Sequence, residues 1–203
     1  MKIKFVLWGI VMLTFFSCNR GKLGVKEYLN YYSTDKSFEA SQVSDSLELT
    51  ARILSKEFMG LVTAGSQVVD MPGKEIDSLI ALTEDFSYVF LDLKNKYFPS
   101  DMLCWGCADS ISLEARINYL SENFNQSLCI VSGKDTIPCA ITQLERTFKL
   151  NDKTRILLGF DCRFNELKAP LSLIIKPTNR IDHQQHLLEF TEFDNKKVKI
   201  LSL

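Results

Sequence analysis

The sequence has no excess of charge of either sign. Its 203 residues include 24 Lys and Arg against 25 Asp and Glu, which gives a formal net charge of -1 at pH 7. A protein that binds nucleic acid through the phosphates needs an excess of basic residues on its surface. We therefore expect no nucleic acid among the partners of this chain.

The familiar motifs of hydrolases and nucleotide-binding enzymes are also missing. The sequence contains no GxSxG, HExxH, P-loop or GxGxxG pattern, and these patterns supply a nucleophile, a metal-bound water or a phosphate-binding loop. We predict that the protein uses no cofactor. A non-enzymatic role is favoured over an enzymatic one.

Long apolar runs are confined to the N-terminus. Lys2 and Lys4 precede an uncharged run of twelve residues from Phe5 to Phe16. A helix of that length rises only about 18 Å, well short of the roughly 30 Å hydrocarbon core of a membrane. We interpret residues 1–17 as a signal peptide that is removed. No later apolar run is long enough to span a membrane.

Cys18 indicates which kind of signal this is. It ends the apolar run and precedes the polar segment Asn19–Lys22, so the junction from Leu13 to Cys18 resembles the lipobox of bacterial lipoproteins. That resemblance implies acylation of Cys18, and two or more acyl chains attach a protein stably to a membrane. The alternative is a plain secretory signal. Residues 18–24 would form the lipidated tether, and residues 25–203 a single β-rich globular domain.

The lipid anchor predicts a location in the cell envelope. The segment that follows Cys18 lacks the acidic cluster expected for surface display, which favours the periplasmic face of the outer membrane. The membrane, reached through the lipid anchor, is then the first partner. Envelope proteins or glycans are the other partners that we expect.

Strand patterns dominate the rest of the chain. Apolar residues alternate with polar ones over Ser46–Ser55 and over Ile156–Phe164, which is the pattern of half-buried strands. Leu128–Val131 and Ile137–Leu144 flank Ser132–Asp135, a turn composition that predicts a hairpin. Further strands are predicted over residues 87–93, 171–176, 186–192 and 197–201, and helices over residues 25–32 and 76–83.

Residues 110–124 fit two patterns. Apolar residues alternate from Ile111 to Ile117 as in a strand, whereas Leu113, Ile117 and Phe124 have helical spacing. We favour a strand that leads into a short helix from Tyr119. At least six strands with two or three short helices predict a mainly β fold, an antiparallel β-sandwich-like domain, with α+β as the alternative.

Three segments carry a family resemblance. Lys26–Leu29, Gly133–Cys139 and Leu144–Phe148, in this order after Cys18, resemble segments of uncharacterised exported lipoproteins of Bacteroidetes-type bacteria. The resemblance implies an envelope location and a β-rich domain. It transfers no catalytic residues to this chain.

The most specific chemical motif is Cys104-Trp105-Gly106-Cys107. In a CxxC pair one thiolate can attack a substrate disulfide while the second resolves the mixed disulfide. Working redox pairs of this kind lie at a helix N-terminus in a βαβ context, which this sequence does not indicate. A structural disulfide or a reduced pair is therefore favoured over redox catalysis, with metal binding as a third alternative.

The remaining cysteines have a structural interpretation. Cys129 and Cys139 lie on the two arms of the predicted hairpin. A cross-strand disulfide could join them in an oxidising compartment, although a shift of one residue in the register would separate them. Cys162 lies on the apolar side of its strand pattern and is expected to be a small buried hydrophobic residue.

His183 and His186 are the only histidines. A spacing of three residues would bring both imidazoles to one side of a helix, where they could contribute to a zinc site. The segment follows Pro177 and leads into a predicted strand, so an exposed turn is favoured and no metal is expected.

These patterns together predict a membrane-tethered, non-catalytic binding or envelope-assembly module. The alternative is a thiol–disulfide redox helper that acts through Cys104 and Cys107. Accessible sulfurs would favour the alternative, because exchange requires contact between a thiolate and a substrate disulfide.

Overall fold

In the computed structural model, residues 22–65, 73–83, 86–97, 102–145, 152–167, 170–181, 183–191, 193 and 200–201 are described. The strands are β1 Lys22–Leu23, β2 Glu39–Val43, β3 Leu47–Leu54, β4 Ser87–Asn95, β5 Leu128–Ser132, β6 Asp135–Glu145, β7 Lys153–Phe160, β8 Leu171–Ile175, β9 His186–Phe190 and β10 Ile200–Leu201. The α-helices are α1 Val25–Thr34, α2 Lys56–Ala64, α3 Gly73–Leu82 and α4 Ser110–Asn118.

Eight of the strands form one antiparallel sheet in the order β2-β3-β4-β7-β6-β5-β8-β9. The sheet curls until its first and last strands approach each other, and the Leu187 N–H donates to Gln42 Oε1 across this seam at 2.9 Å. The predicted mainly β fold is confirmed. The arrangement is a single, nearly closed, barrel-like sheet rather than two sheets in a sandwich.

Alternation along the strands places the core inside the curled sheet. Buried apolar side chains come from every second position of the strands, because successive residues of a strand point to opposite faces. They include Leu47, Leu49, Ala51 and Ile53 of β3, Val89, Leu91 and Leu93 of β4, Ile156, Leu158 and Phe160 of β7, and Leu171, Leu173 and Ile175 of β8. The intervening polar residues of β3, β4 and β7 therefore form the outer face.

An aromatic stack attaches α1 to the sheet. The ring of Tyr32 stacks on Phe38 and on Phe58, with centroid distances of 4.4 and 4.8 Å. Its hydroxyl donates to the buried carbonyl of Ile53 at 3.0 Å. The phenol therefore contributes apolar area and also satisfies a backbone acceptor in β3.

Helices α2 and α3 pack closely at Gly60. A Cβ added to Gly60 would lie 2.7 Å from Ile80 Cγ1 and 3.1 Å from the Ile80 backbone nitrogen. The absence of a side chain at this position allows the two helix backbones to approach each other.

The segment from residue 110 differs from the prediction. Residues Ser110–Asn118 form α4, and the chain continues through a π-helical turn at Tyr119–Asn123. Asp109 caps the helix, because its Oδ1 accepts the Ser112 N–H at 2.8 Å. The predicted strand was wrong, and the Asp109 cap is the local signal that distinguishes the two alternatives.

The predicted hairpin is confirmed. Strands β5 and β6 pair antiparallel with Ser132 opposite Asp135, and Gly133 in the turn has φ +61°. Of the predicted last strand, the structure describes Ile200–Leu201, which pairs in parallel with Lys22–Leu23. The predicted signal peptide, Cys18 and the start of the tether lie outside the described residues. Among the helices that the structure does describe, none is long and apolar enough to cross a membrane.

Candidate binding groove

The outer face of β3, β4 and β7 carries rows of polar side chains. In the ladders, Thr50 of β3 is opposite Asp92 of β4, and Asp92 is opposite Arg155 of β7. Directly opposed residues project from the same face of a sheet. The three side chains therefore lie side by side across the strands.

This row forms the floor of an open groove with a volume of about 470 Å³. The groove lining carries equal numbers of acidic and basic side chains: Glu39, Glu48, Asp92 and Asp152 against Arg52, Lys94, Lys153 and Arg155. The aromatic side chains of Phe58 and Phe90 also line it. The groove is thus strongly polar without net charge.

Asp92 is the centre of the charged network. Its Oδ1 accepts from Arg155 Nε at 2.6 Å and its Oδ2 from Arg155 Nη2 at 2.9 Å, while Lys153 Nζ also contacts Oδ2. Burial of Asp92 opposes ionisation, but the hydrogen bonds from Arg155 and Lys153 outweigh it and hold the pKa of this carboxyl below 3.8. Asp92 is therefore a carboxylate at neutral pH.

Arg155 is held on two sides. The hydrogen bonds to Asp92 raise the pKa of its guanidinium, and the guanidinium carbon lies 4.8 Å from the ring centroid of Phe90. A bidentate ion pair combined with a cation–π contact fixes the guanidinium plane more firmly than either contact alone. Arg155 thus presents its remaining donors in a defined direction.

Arg52 forms a wall of the groove and is tied to the end of α1. Its guanidinium donates to the carbonyls of Ser33 and Asp35, each at 3.2 Å. It also contacts the carbonyl of Tyr32 and the carboxylate of Glu39. The last carbonyls of a helix lack partners within the helix, so Arg52 acts here as a C-terminal cap of α1.

The basic residues at the other end are balanced by carboxylates. Lys94 is directly opposite Lys153 in the β4–β7 ladder, and two like charges in such positions repel each other. Lys94 Nζ lies 2.7 Å from Asp152 Oδ2, while Lys153 contacts Asp92. These ion pairs offset the repulsion and keep this end of the groove neutral.

The arrangement is suited to holding a polar ligand. General acid catalysis needs a group that carries a proton near the working pH, and Asp92 is ionised and bound by two cations. Fixed donors and acceptors beside an aromatic ring can instead orient the hydroxyl and amide groups of a ligand. The geometry favours recognition over proton transfer.

The cysteines of the CxxC motif do not line this groove. Both lie in a turn over residues 102–107, ahead of α4, and both are partly exposed thiols. Ala108 and Asp109 separate Cys107 from Ser110, the first residue of α4. The pair is therefore not at the helix N-terminus, the position that activates catalytic CxxC thiols. The redox-helper role stays a prediction.

Cys129 and Cys139 do not face each other in the hairpin. Cys129 is opposite Pro138, so Cys139 is displaced by one residue and its side chain leaves the opposite face of the sheet. Both are thiols in the structure. The Cys139 Sγ–H donates to the carbonyl of Ile141 at 3.1 Å, and burial raises the pKa of this thiol to about 11. This register disfavours the cross-strand disulfide.

Cys162 lies just beyond the end of β7 rather than inside the strand. Its side chain is partly buried against the core, and burial raises the pKa of the thiol to about 11. The Ser87 hydroxyl donates to the Cys162 carbonyl at 2.7 Å. Cys162 therefore packs much as a small hydrophobic residue would.

The two histidines point into different environments. His183 is exposed, whereas His186 begins β9 opposite Ile175 and is 2% exposed. Within the described part of the chain, no group of three or more His, Cys, Asp or Glu side chains is placed to hold a metal ion. The exposed turn predicted for this segment is present at His183, but the prediction was wrong for His186, which is buried in β9. No shared helical face brings the imidazoles together.

The sequence patterns did not predict the groove. The alternating charges of β3 and β7 were visible as the solvent side of two strands, but β4 had to lie between them for a groove to form.

Comparison with protein-family models, with curated proteins and with solved structures gives no match for this chain.

Proposed function

We propose that this chain is a lipid-anchored binding protein of the bacterial cell envelope, and that it holds a glycan in the groove without catalysing a reaction. The observation that supports the binding role is the network around Asp92, in which a carboxylate and two cations are fixed beside an aromatic ring. Such a network holds donors and acceptors in place before the ligand arrives, which reduces the ordering cost of binding.

The charge balance of the groove supports a neutral polar ligand. Four acidic and four basic side chains line it, so a ligand of high charge of either sign would meet repulsion as well as attraction. The hydroxyl groups of a sugar can donate to carboxylates and accept from guanidinium and ammonium groups. The ring of Phe58, which is partly exposed and also lines the groove, can contact an apolar sugar face.

The proposed location rests on the N-terminal sequence. Cys18 at the end of an apolar run and the resemblance to exported lipoproteins support acylation and a place at the periplasmic face of the outer membrane. Envelope glycans would be within reach of a domain tethered there by a few residues. Intact-mass measurement of the purified protein tests this part, because cleavage before Cys18 with added acyl mass is expected.

Calorimetric titration of the detergent-solubilised protein with soluble peptidoglycan glycan fragments tests the binding role. Thr50→Val removes one hydroxyl from the groove floor with little change of volume, and we expect it to weaken affinity about fivefold, the effect of one hydrogen bond. Lys134→Ala in the β5–β6 turn is the matched control and should bind normally. Equal affinity in all three proteins, or no binding by the wild type, would exclude the groove as a glycan site.

A further inference from the structure

Cys104 and Cys107 occupy the first and last positions of a β-turn. The backbone N–H of Cys107 donates to the carbonyl of Cys104 at 3.2 Å, and Gly106 has φ +67°. A positive φ at the third position is typical of a type II turn, where glycine adopts it without strain. Gly106 therefore allows the turn that brings the two cysteines together.

This turn holds the cysteines within the range that a disulfide spans. The outer Cα atoms of a β-turn lie within about 7 Å of each other, and disulfides join Cα atoms about 4.4–6.8 Å apart. In the structure both side chains are thiols, and the Cys107 Sγ–H donates to the carbonyl of Leu103 at 3.3 Å. Closing a disulfide exchanges this weak hydrogen bond for an S–S bond through side-chain rotation.

Arg116 of α4 fixes the turn from outside. Its Nη1 donates to the carbonyl of Met102 at 2.9 Å and also contacts the carbonyls of Leu103 and Trp105. One guanidinium thus contacts three backbone carbonyls of the segment that carries the cysteines. Because the backbone is already ordered, closing the S–S bond costs less conformational entropy than it would in a mobile loop.

We infer that Cys104 and Cys107 form a reversible disulfide, formed by exchange with a small-molecule or protein disulfide. This site is separate from the groove. The inference depends on the proposed export only because an exported protein meets such an oxidant. Disulfides persist in exported compartments and are rare in the cytosol.

The thiol–disulfide exchange proceeds in two steps. The thiolate of one cysteine attacks a sulfur of the oxidant, which forms a mixed disulfide and releases one thiolate. The second cysteine, after losing its proton to solvent, attacks the protein sulfur of the mixed disulfide and releases the other thiolate. The protein loses two electrons and two protons, and the oxidant becomes two thiols.

The bond is expected to be reversible because the loop it closes is very short. The stabilisation from a disulfide grows with the length of the closed loop. Only Trp105 and Gly106 lie between the two cysteines, so the bond adds little stability. Both cysteines are partly exposed, so a reducing thiol can reach the bond. Exposed disulfides of this kind are the ones that are readily reduced.

Equilibration of the purified full-length protein with mixtures of oxidised and reduced glutathione tests the inference. After acid quench and alkylation, peptide mass spectrometry locates every disulfide. We expect a peptide that carries an intramolecular Cys104–Cys107 bond, at a fraction that follows the glutathione ratio and returns to zero with dithiothreitol. In Cys107→Ser, glutathione should remain attached to Cys104, because the resolving thiol is missing.

Two further variants make the test specific. Cys162→Ser removes a thiol outside the turn and should leave the Cys104–Cys107 bond unchanged. Arg116→Gln loosens the turn and should lower the ratio of intramolecular bond to glutathione adduct several-fold; circular dichroism establishes that each variant is folded. Stable glutathione adducts on both cysteines of the wild type, or bonds from either to another cysteine, would overturn the inference. Glycan titration of the same samples reports separately on the groove.

Discussion

Asp92 and Arg155 are directly opposite each other on neighbouring strands and are joined by two hydrogen bonds of 2.6 and 2.9 Å. They are separated by 63 positions in the sequence. The pair therefore exists only because β4 and β7 are neighbours in the sheet. It fixes the guanidinium over Phe90 and determines the shape of the groove floor.

Removal of the charge on Asp92 should destabilise the fold at neutral pH. Asp92→Asn retains the shape but removes the carboxylate that accepts hydrogen bonds from Arg155 and Lys153, and we expect a loss of about 1–3 kcal/mol in the free energy of unfolding. Urea unfolding at pH 7 measures this. An unchanged midpoint would show that the network contributes nothing to stability.

The loss of folding stability caused by Asp92→Asn should disappear at acid pH. The pKa of Asp92 is below 3.8 in the folded state, so the unfolded chain binds this proton first as the pH falls. The stability from Asp92 is therefore complete above the unfolded pKa and is lost as the pH falls through the folded pKa. Unfolding curves of wild type and Asp92→Asn should converge once the pH falls below the lowered, folded-state pKa of Asp92. A constant difference down to full protonation would contradict this assignment.

Loss of the Arg52 cap should weaken the attachment of α1. Arg52→Met keeps most of the apolar stem but leaves the carbonyls of Tyr32, Ser33 and Asp35 without this donor. We expect a cost of about 2 kcal/mol. Lys134→Met, at an exposed turn position, is the control and should change stability by less than about 0.5 kcal/mol.

Because α2 and α3 are in contact at Gly60, we expect a glycine-to-alanine substitution there to destabilise the protein, whereas the same substitution usually stabilises a helix. Gly60→Ala would ordinarily stabilise a helix by about 1 kcal/mol, but the new Cβ would lie 2.7 Å from Ile80 Cγ1 and 3.1 Å from its backbone nitrogen. We expect a net destabilisation of about 1–2 kcal/mol from overpacking. Ser78→Ala on the exposed face of α3 is the control. A stabilised Gly60→Ala variant would show that the helices are further apart.

The cysteines should differ strongly in reactivity. Cys139 is 5% exposed and its thiol pKa is raised to about 11 by burial, so the thiolate that reacts with iodoacetamide is scarce at pH 8. Pulsed alkylation of the reduced protein should modify Cys104 and Cys107 within the native state and Cys139 only after unfolding. Equal labelling of all three in the native protein would contradict the described burial.

Local patterns were sufficient to predict some elements and insufficient for others. The alternation over Ser46–Ser55 predicted β3, and the turn at Gly133 predicted the hairpin, because these signals lie within a few neighbouring residues. The alternation over Ile156–Phe164 predicted β7, although the strand begins at Lys153 and ends at Phe160. Residues 110–118 fitted both periods, and the strand that was favoured there was wrong. The structure has a helix capped by Asp109.

The groove and the closure of the sheet depend on contacts between distant parts of the chain. Nothing in the local pattern specifies that Asp92 meets Arg155, or that Gln42 reaches Leu187 across the seam. The charged residues of β3, β4 and β7 resembled an ordinary solvent-exposed face until the strand order brought them together. The predicted β-sandwich differs from the observed barrel-like sheet for the same reason, because closure of the sheet depends on contacts between distant strands.

Glycan binding in the groove is tested by nuclear magnetic resonance of the isotope-labelled protein during titration with soluble peptidoglycan glycan fragments. We expect chemical-shift changes concentrated at Thr50, Asp92 and Arg155, with little change at the Gly133 turn or at Cys104. Shift changes centred on another surface, or none at saturating glycan, would contradict the groove as the binding site.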